Sequence, residues 1–192
     1  MSVESRPEWS EPPPGGFHAD DLDRLSDLPA HTELIDGSLI VESPQASFHM
    51  LVLKVLERGP DRTSPPEYLT RREMTVTLGP QQRLEPDVMV VRAESNTGLG
   101  QTSFQADDVV LAIEVVSLDS LIRDRERKPQ IYARSGIPHF WRVENADNRA
   151  VVYVYEIDPA TSAYSPTGIH HTHLKLDVPY PIDIDLTEID RL

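Results

Sequence analysis

The chain has no cysteine among its 192 residues. This absence excludes a disulfide framework and any metal site built from thiolates. No apolar run approaches the roughly 18 residues that a membrane-spanning helix needs. The first sixteen residues lack the apolar core of a signal peptide. These absences together favour a cytoplasmic protein.

Basic residues are also scarce, with 18 Lys and Arg against 32 Asp and Glu, which gives a net charge of −14 at pH 7. Such an acidic surface argues against broad coating of nucleic acid. The charge is uneven, because residues 123–134 (RDRERKPQIYAR) carry five basic and two acidic side chains. This basic strip could still meet a phosphate backbone, while the acidic remainder limits non-specific binding.

The length and the order of the elements predict one α/β (α+β) domain with a mixed sheet flanked by helices. Residues 1–16, rich in Pro, Glu and Ser, are predicted to form a flexible tail, and residues 17–192 to form the domain. Further strands are expected at MTVTL, HFWRVE, AVVYVYEID and HLKLDV, and a short acidic helix at HADDLDRLSDL.

Turn residues and prolines predict where several of the strands and helices begin or end. Asp36-Gly37 between two short apolar runs predicts a β-hairpin. Apolar spacing predicts a helix over 45–58, ended by Gly59-Pro60. Residues 92–108 are polar and are expected to form a loop. Pro129 predicts a break or a fresh helix start near Lys128.

Two acidic residues stand out because they accompany apolar strands. Asp87 begins the run VMVV, and Glu114 lies inside VVLAIEVV, where a charge is costly unless it is paired. If the two strands are neighbours, their carboxylates meet and suit Mg²⁺ or Mn²⁺. Lys128 follows on the next helix, with Asp124 one turn earlier. The alternative is that Asp87 caps a turn, Glu114 faces solvent and Lys128 is surface charge.

Two other groups have a structural and a functional interpretation. His170, His171 and His173 could bind zinc, although exposed strand histidines explain them better, since only two of the three share a face. The aromatic residues Trp141, Tyr153 and Tyr155 are expected in the core or an interface rather than in a base-stacking platform. None of these residues is assigned to the site.

Several segments together resemble a known family. In order, they are ELIDGSLIVESP, HMLVLKVL, EPDVMVV, LAIEVVS, DRERKPQIYARSGIPHFWRVE and AVVYVYEID. They resemble the putative restriction endonuclease family, a bacterial branch of the PD-(D/E)XK nuclease superfamily, over roughly residues 20–190. The most specific part of the resemblance is the string Asp124, Lys128, Tyr132, Gly136, Ile137, Pro138 and Trp141.

The resemblance implies a restriction-endonuclease-like sheet with an N-terminal hairpin and a divalent-metal site. Asp87 matches the aspartate of the PD element, Glu114 matches the acid of the (D/E)XK element, and Glu33 matches an N-terminal acid that often joins such sites. The superfamily lysine would stand at position 116, where this chain has Val116. The family instead draws its lysine from the following helix, which nominates Lys128.

The resemblance also implies supporting roles for Asp124 and for His49, which stands where the family commonly has a histidine. The expected activity is Mg²⁺- or Mn²⁺-dependent endonucleolytic hydrolysis of DNA, with Asp87 and Glu114 as metal ligands and Lys128 acting on the water or the transition state. A homodimer is expected by analogy, with the aromatic strands as possible contact surface. The alternative is a catalytically inactive nuclease-fold module that binds nucleic acid or protein.

Overall fold

Strands are the commonest regular secondary structure of the protein, and most of them are short. The structure is a computed structural model that describes residues 7–191. The strands are β1 Thr32–Ile35, β2 Ser38–Val41, β3 Tyr68–Arg72, β4 Thr75–Gly79, β5 Gln82–Leu84, β6 Val88–Arg92, β7 Ser103–Gln105, β8 Val109–Val115, β9 His139–Ala146, β10 Arg149–Asp158, β11 Ala163–His170, β12 His173–Leu176 and β13 Ile182–Asp185. The α-helices are α1 Ser47–Thr63 and α2 Lys128–Arg134.

The largest sheet has six strands in the order β11-β10-β9-β8-β6-β3. Strands β8 and β9 run parallel, and the other neighbours run antiparallel. The parallel step needs a crossover, which a π-helical turn at Arg123–Arg127 and α2 supply. A five-stranded sheet, β2-β1-β5-β4-β7, and the pair β12-β13 complete the sheet structure of residues 7–191. The predicted mixed sheet flanked by helices is confirmed.

The central strands of the large sheet are buried on both faces. Val88 and Val90 of β6 belong to the apolar cluster that includes α1, whereas Met89 and Val91 belong to the cluster that includes Ile131 of α2. Alternation of side chains along a strand produces this division. The two sides of the sheet are called the α1 face and the α2 face below. Burial on both faces explains why these strands are continuous apolar runs.

The N-terminal hairpin follows the prediction. Asp36 and Gly37 both have positive φ, 52° and 76°, as a two-residue type I′ turn requires. Glu33 of β1 lies opposite Ile40 of β2, and β1 pairs with β5 on its other side. The hairpin is therefore an integral part of the five-stranded sheet, and it carries Glu33 into the interior.

The predicted end of the first long helix is wrong. Helix α1 continues through Gly59 and Pro60 to Thr63. A Cβ at Gly59 would lie 2.3 Å from Ile184 Cδ1, so the glycine allows close packing of α1 against β13. The Pro60 carbonyl accepts a hydrogen bond from the Tyr180 hydroxyl. Tertiary packing outweighs the local stop signal here.

Other segments also differ from the sequence-based expectation, and strands β3, β5 and β13 were not predicted. The predicted acidic helix is only a 3₁₀ turn at Ala19–Asp21, because the Asp21 carboxylate accepts from the His18 amide and favours a local cap. The predicted loop 92–108 contains β7, which is three residues long and buries Phe104. Strand β11 was not predicted, and its alternate exposed residues carry little apolar signal.

Two further expectations concern the N-terminal tail and the absence of a membrane-spanning helix. Residues 1–6 of the predicted tail lie outside the described residues, and the Trp9 indole donates a hydrogen bond to the Asp27 carbonyl. The boundary between tail and domain stays a prediction. None of the helices described between residues 7 and 191 has the length and apolarity to cross a bilayer.

Candidate active site

Asp87 and Glu114 lie at one end of the neighbouring strands β6 and β8, Asp87 immediately before β6 and Glu114 within β8. Ile113 and Val115 belong to the α1-face cluster, so Glu114 between them points to the α2 face, whereas Asp87 immediately precedes β6 and contacts His49 of α1. The Asp87 carboxylate accepts a hydrogen bond from the Val115 amide at 2.6 Å. The Asp87 carboxylate therefore lies beside the strand that carries Glu114, and the two acids line one cleft.

Lys128 reaches the same place from the crossover. The π-helical turn at Arg123–Arg127 precedes it, and Pro129, which lacks an amide, occupies the first turn of α2. This agrees with the predicted fresh start near Lys128. Its ammonium is buried, 3.0 Å from Glu33 Oε1 and 3.1 Å from Glu114 Oε2.

Asp124 and Glu33 complete the surroundings of the ammonium. Asp124 Oδ1 lies 3.4 Å from the Lys128 nitrogen, and its other oxygen accepts a hydrogen bond from the Ser120 hydroxyl. Glu33 Oε1 also accepts from the Glu85 amide at 2.8 Å. Glu33 Oε2 is buried without a hydrogen-bond partner within residues 7–191.

Burial and neighbouring charges shift the pKa values of the groups in this cluster. Burial raises the pKa of Glu114 well above its ordinary value; attraction to Lys128 opposes the rise, and repulsion from Asp124 adds to it. Burial also raises the pKa of Asp124. For Lys128, burial would lower the pKa, but attraction to Glu114, Glu33 and Asp124 outweighs it and raises the pKa well above the ordinary value. Lys128 is therefore a cation and not a general base.

His49 supports Asp87 from α1. Its Nε2 lies 3.0 Å from Asp87 Oδ1. Burial would lower the pKa of His49, but the hydrogen bond and the charge of Asp87 raise it overall. With Val115 on one oxygen and His49 on the other, the Asp87 carboxylate has a defined orientation.

The cleft beside these residues is strongly anionic, with a volume of about 360 Å³. At roughly 30 Å³ per water, it has room for a hydrated cation and a phosphate group. Its lining contains six carboxylates, Glu42, Glu73, Glu85, Asp87, Glu114 and Asp124, against Lys128, His31 and His49. Burial raises the pKa of both Glu42 and Glu85, and repulsion from Glu33 adds to each rise. A bound cation would oppose these shifts.

The carboxylates suit a hard divalent cation in their chemistry, but they are not arranged as a finished coordination shell. Among residues 7–191, no group of three His, Cys, Asp or Glu side chains is positioned to hold a metal ion. Lys128 occupies the centre of Glu33, Glu114 and Asp124. To bind a divalent cation, Glu114 and Asp87 would have to coordinate it through carboxylate lone pairs that face the cleft.

A family model described as Putative restriction endonuclease matches residues 19–187, which is most of the chain. The protein belongs to this family. Its fold is also similar to a crystal structure described as a putative nuclease belonging to DUF820 from Anabaena variabilis. The TM-score is 0.70 and the identity 14%, over 90% of this chain and 97% of that one. No curated protein matches the chain. The family supports a nuclease function in general, and the solved structure shows the shared fold.

Tyr132 lies at the candidate site of this family member, although the sequence did not predict it as a site residue. It is fully buried, and its hydroxyl donates a hydrogen bond to Glu114 Oε1. Asp124, Lys128 and Tyr132 recur every four residues, and this spacing could have identified Tyr132 as part of the same helical face. The cleft acids Glu42, Glu73 and Glu85 were also missed; no sequence spacing connects them.

The basic strip of residues 123–134 does not form a free cationic surface. Arg125 pairs with Glu144 through two nitrogens, and Arg127 pairs in the same way with Asp36. Arg123 contacts Glu42 at the cleft. Carboxylates of the same chain therefore pair with most of the basic side chains in this strip. This pairing weakens the expectation that the strip contacts a phosphate backbone.

The remaining candidate groups lie apart from the cleft lining. His171 lies in the turn between β11 and β12, and His173 pairs with Asp183 at 2.6 Å. Trp141 is fully buried in the α1-face cluster, as predicted for a core aromatic. The guanidinium of Arg142 lies over the ring of Tyr153, 4.6 Å from its centre.

Proposed function

We propose that the protein is a cytoplasmic endonuclease that uses Mg²⁺ or Mn²⁺ to hydrolyse phosphodiester bonds in DNA. The observation that carries this proposal is that Asp87 and Glu114 line one anionic cleft, beside the buried ammonium of Lys128. Carboxylate oxygens are the ligands that such cations prefer.

Each residue has a distinct role in this proposal. Asp87 and Glu114 would hold the ion, which when bound would activate water and polarise the phosphate. Lys128 partly offsets the negative charge of Glu33, Glu114 and Asp124 at rest, and its positive charge would stabilise negative charge that develops on the phosphate. His49 and Val115 hold Asp87 in place.

An inactive nuclease-fold module is the second candidate. It is favoured by the engagement of Lys128 with three carboxylates and by the internal pairing of Arg125 and Arg127. Such a module needs no metal, so metal binding distinguishes the two functions.

Calorimetric titration and a cleavage assay test the proposal together. We expect the wild-type protein to bind Mn²⁺ and Mg²⁺ and to cleave DNA only when one of them is present. Asp87→Asn keeps the shape of the side chain and removes its charge, and it should lose both properties. A wild-type protein that binds neither ion would contradict the enzyme and support the module. Parallel DNA and RNA substrates determine which nucleic acid is cleaved.

Only part of the surface expected from the sequence is available to the proposed homodimer, since Tyr153 and Tyr155 of β10 are partly exposed. Phe140 and Trp141 of β9 are fully buried in the core and cannot contact a second copy. Large exposed apolar side chains occur instead at Met50, Leu118 and Ile122. Light scattering at micromolar concentration should give the mass of a dimer, and a monomer mass would contradict this proposal.

A further inference from the structure

One carboxylate in the cleft is held by two successive turns of the crossover. Lys128 Nζ contacts Glu114 Oε2 at 3.1 Å, and the Tyr132 hydroxyl donates to Glu114 Oε1. Lys128 and Tyr132 are one helical turn apart and both are buried. Each oxygen of Glu114 thus has one fixed donor from the same helical face.

The position of the Tyr132 hydroxyl is set by the packing of its ring. The ring lies against Phe140, with centroids 5.8 Å apart, and belongs to the α2-face cluster. A phenylalanine could fill this apolar space, whereas a buried hydroxyl is costly unless it is hydrogen-bonded. The hydrogen bond from the hydroxyl to Glu114 is therefore the interaction that tyrosine makes here and phenylalanine could not make.

A carboxylate has about four lone-pair positions, and two donors leave the others of Glu114 available. Glu114 lines the cleft, so its remaining lone pairs can accept a ligand from that side. A carboxylate held at both oxygens loses less conformational freedom when it binds an ion. Groups that orient metal ligands in this way affect metal affinity without touching the metal.

We propose that Tyr132 is a positioning residue, whose hydroxyl holds the Glu114 carboxylate in the orientation that binds a divalent cation. This inference rests on the proposed function, because that function makes Glu114 a metal ligand. It assigns to Tyr132 a role beyond filling the core.

Tyr164 offers a matched control. Its ring stacks on the same Phe140, with centroids 5.4 Å apart, and its hydroxyl donates to the Ile137 carbonyl at 2.8 Å. Tyr164→Phe therefore removes a hydroxyl and a hydrogen bond from the same aromatic cluster, away from Glu114.

The first measurement is Mn²⁺ affinity by calorimetry in the full chain. Tyr132→Phe should weaken binding by about 10–100-fold, the usual effect of losing a group that orients a metal ligand. Tyr164→Phe should bind Mn²⁺ as the wild type does. Thermal unfolding shows whether both variants are folded. Equal Mn²⁺ affinity in Tyr132→Phe and wild type would overturn the proposal.

A second measurement works without metal. The side-chain carboxyl ¹³C signal of Glu114, assigned by its loss in Glu114→Gln, should shift in Tyr132→Phe and stay unchanged in Tyr164→Phe. If the wild type binds no Mn²⁺, the proposed function fails, and this signal still tests whether Tyr132 holds Glu114. An unchanged signal in Tyr132→Phe would overturn the positioning role.

Discussion

Glu114→Gln should abolish metal-dependent cleavage and weaken Mn²⁺ binding at least about 100-fold. Loss of a group that merely orients a ligand already costs about 10–100-fold, and this change removes a charged ligand itself. The fold should persist, because glutamine is similar in shape and Lys128 keeps Glu33 and Asp124 as partners. Calorimetry, cleavage kinetics and thermal unfolding check the three parts of this expectation.

Glu85→Gln is the matched control for the loss of one negative charge. Glu85 lines the same cleft, and its carboxylate contacts His31 at 2.6 Å. If Glu114 binds the ion directly, Glu85→Gln should weaken Mn²⁺ binding much less than Glu114→Gln. Equal losses would mean that the cleft attracts cations only through its overall charge, and Glu114 would not be a ligand.

Lys128→Ala should abolish cleavage and also lower the free energy of unfolding by about 3–5 kcal/mol, the usual cost of breaking a buried ion pair. From the sequence, the expectation is that this variant loses cleavage but folds nearly normally and keeps its metal affinity. Burial of the ammonium among Glu33, Glu114 and Asp124 changes the stability expectation. Denaturant unfolding measures the difference, and Lys175→Ala, at an exposed position, is the control.

The lost stability should depend on pH in a defined direction. Asp124 and Glu114 have pKa values raised above 3.8 and 4.5, the values of the unfolded chain, chiefly by burial. Without Lys128, which lowers both, these pKa values rise further. The folded state then binds more protons than the unfolded state, so stability falls as pH rises above the unfolded values. Lys128→Ala should therefore be closest to wild type near pH 4 and furthest from it near pH 8.

Mn²⁺ should restore part of the stability of Lys128→Ala, because a divalent cation can offset much of the negative charge of the three carboxylates that the ammonium leaves. Thermal unfolding with and without Mn²⁺ measures this effect. If Lys128→Ala and Lys175→Ala unfold alike at neutral pH, the buried ion pairs contribute nothing to stability.

Local patterns predicted the parts of the fold that depend on neighbouring residues. Asp36-Gly37 specified a turn that requires positive φ. The apolar runs around Asp87 and Glu114 specified strands buried on both faces. The same patterns failed where distant contacts decide, as at Gly59-Pro60, where packing against β13 continues the helix.

The candidate site divides in the same way. The sequence by itself determined that two carboxylates accompany apolar strands and that a lysine follows at a break in the next helix, because the costs of buried charge and of proline act locally. Only the tertiary structure decided that the ammonium lies among three carboxylates, that Tyr132 holds Glu114, and that the basic strip is neutralised. These contacts join residues far apart in the chain, and their geometry follows from strand register and helix packing.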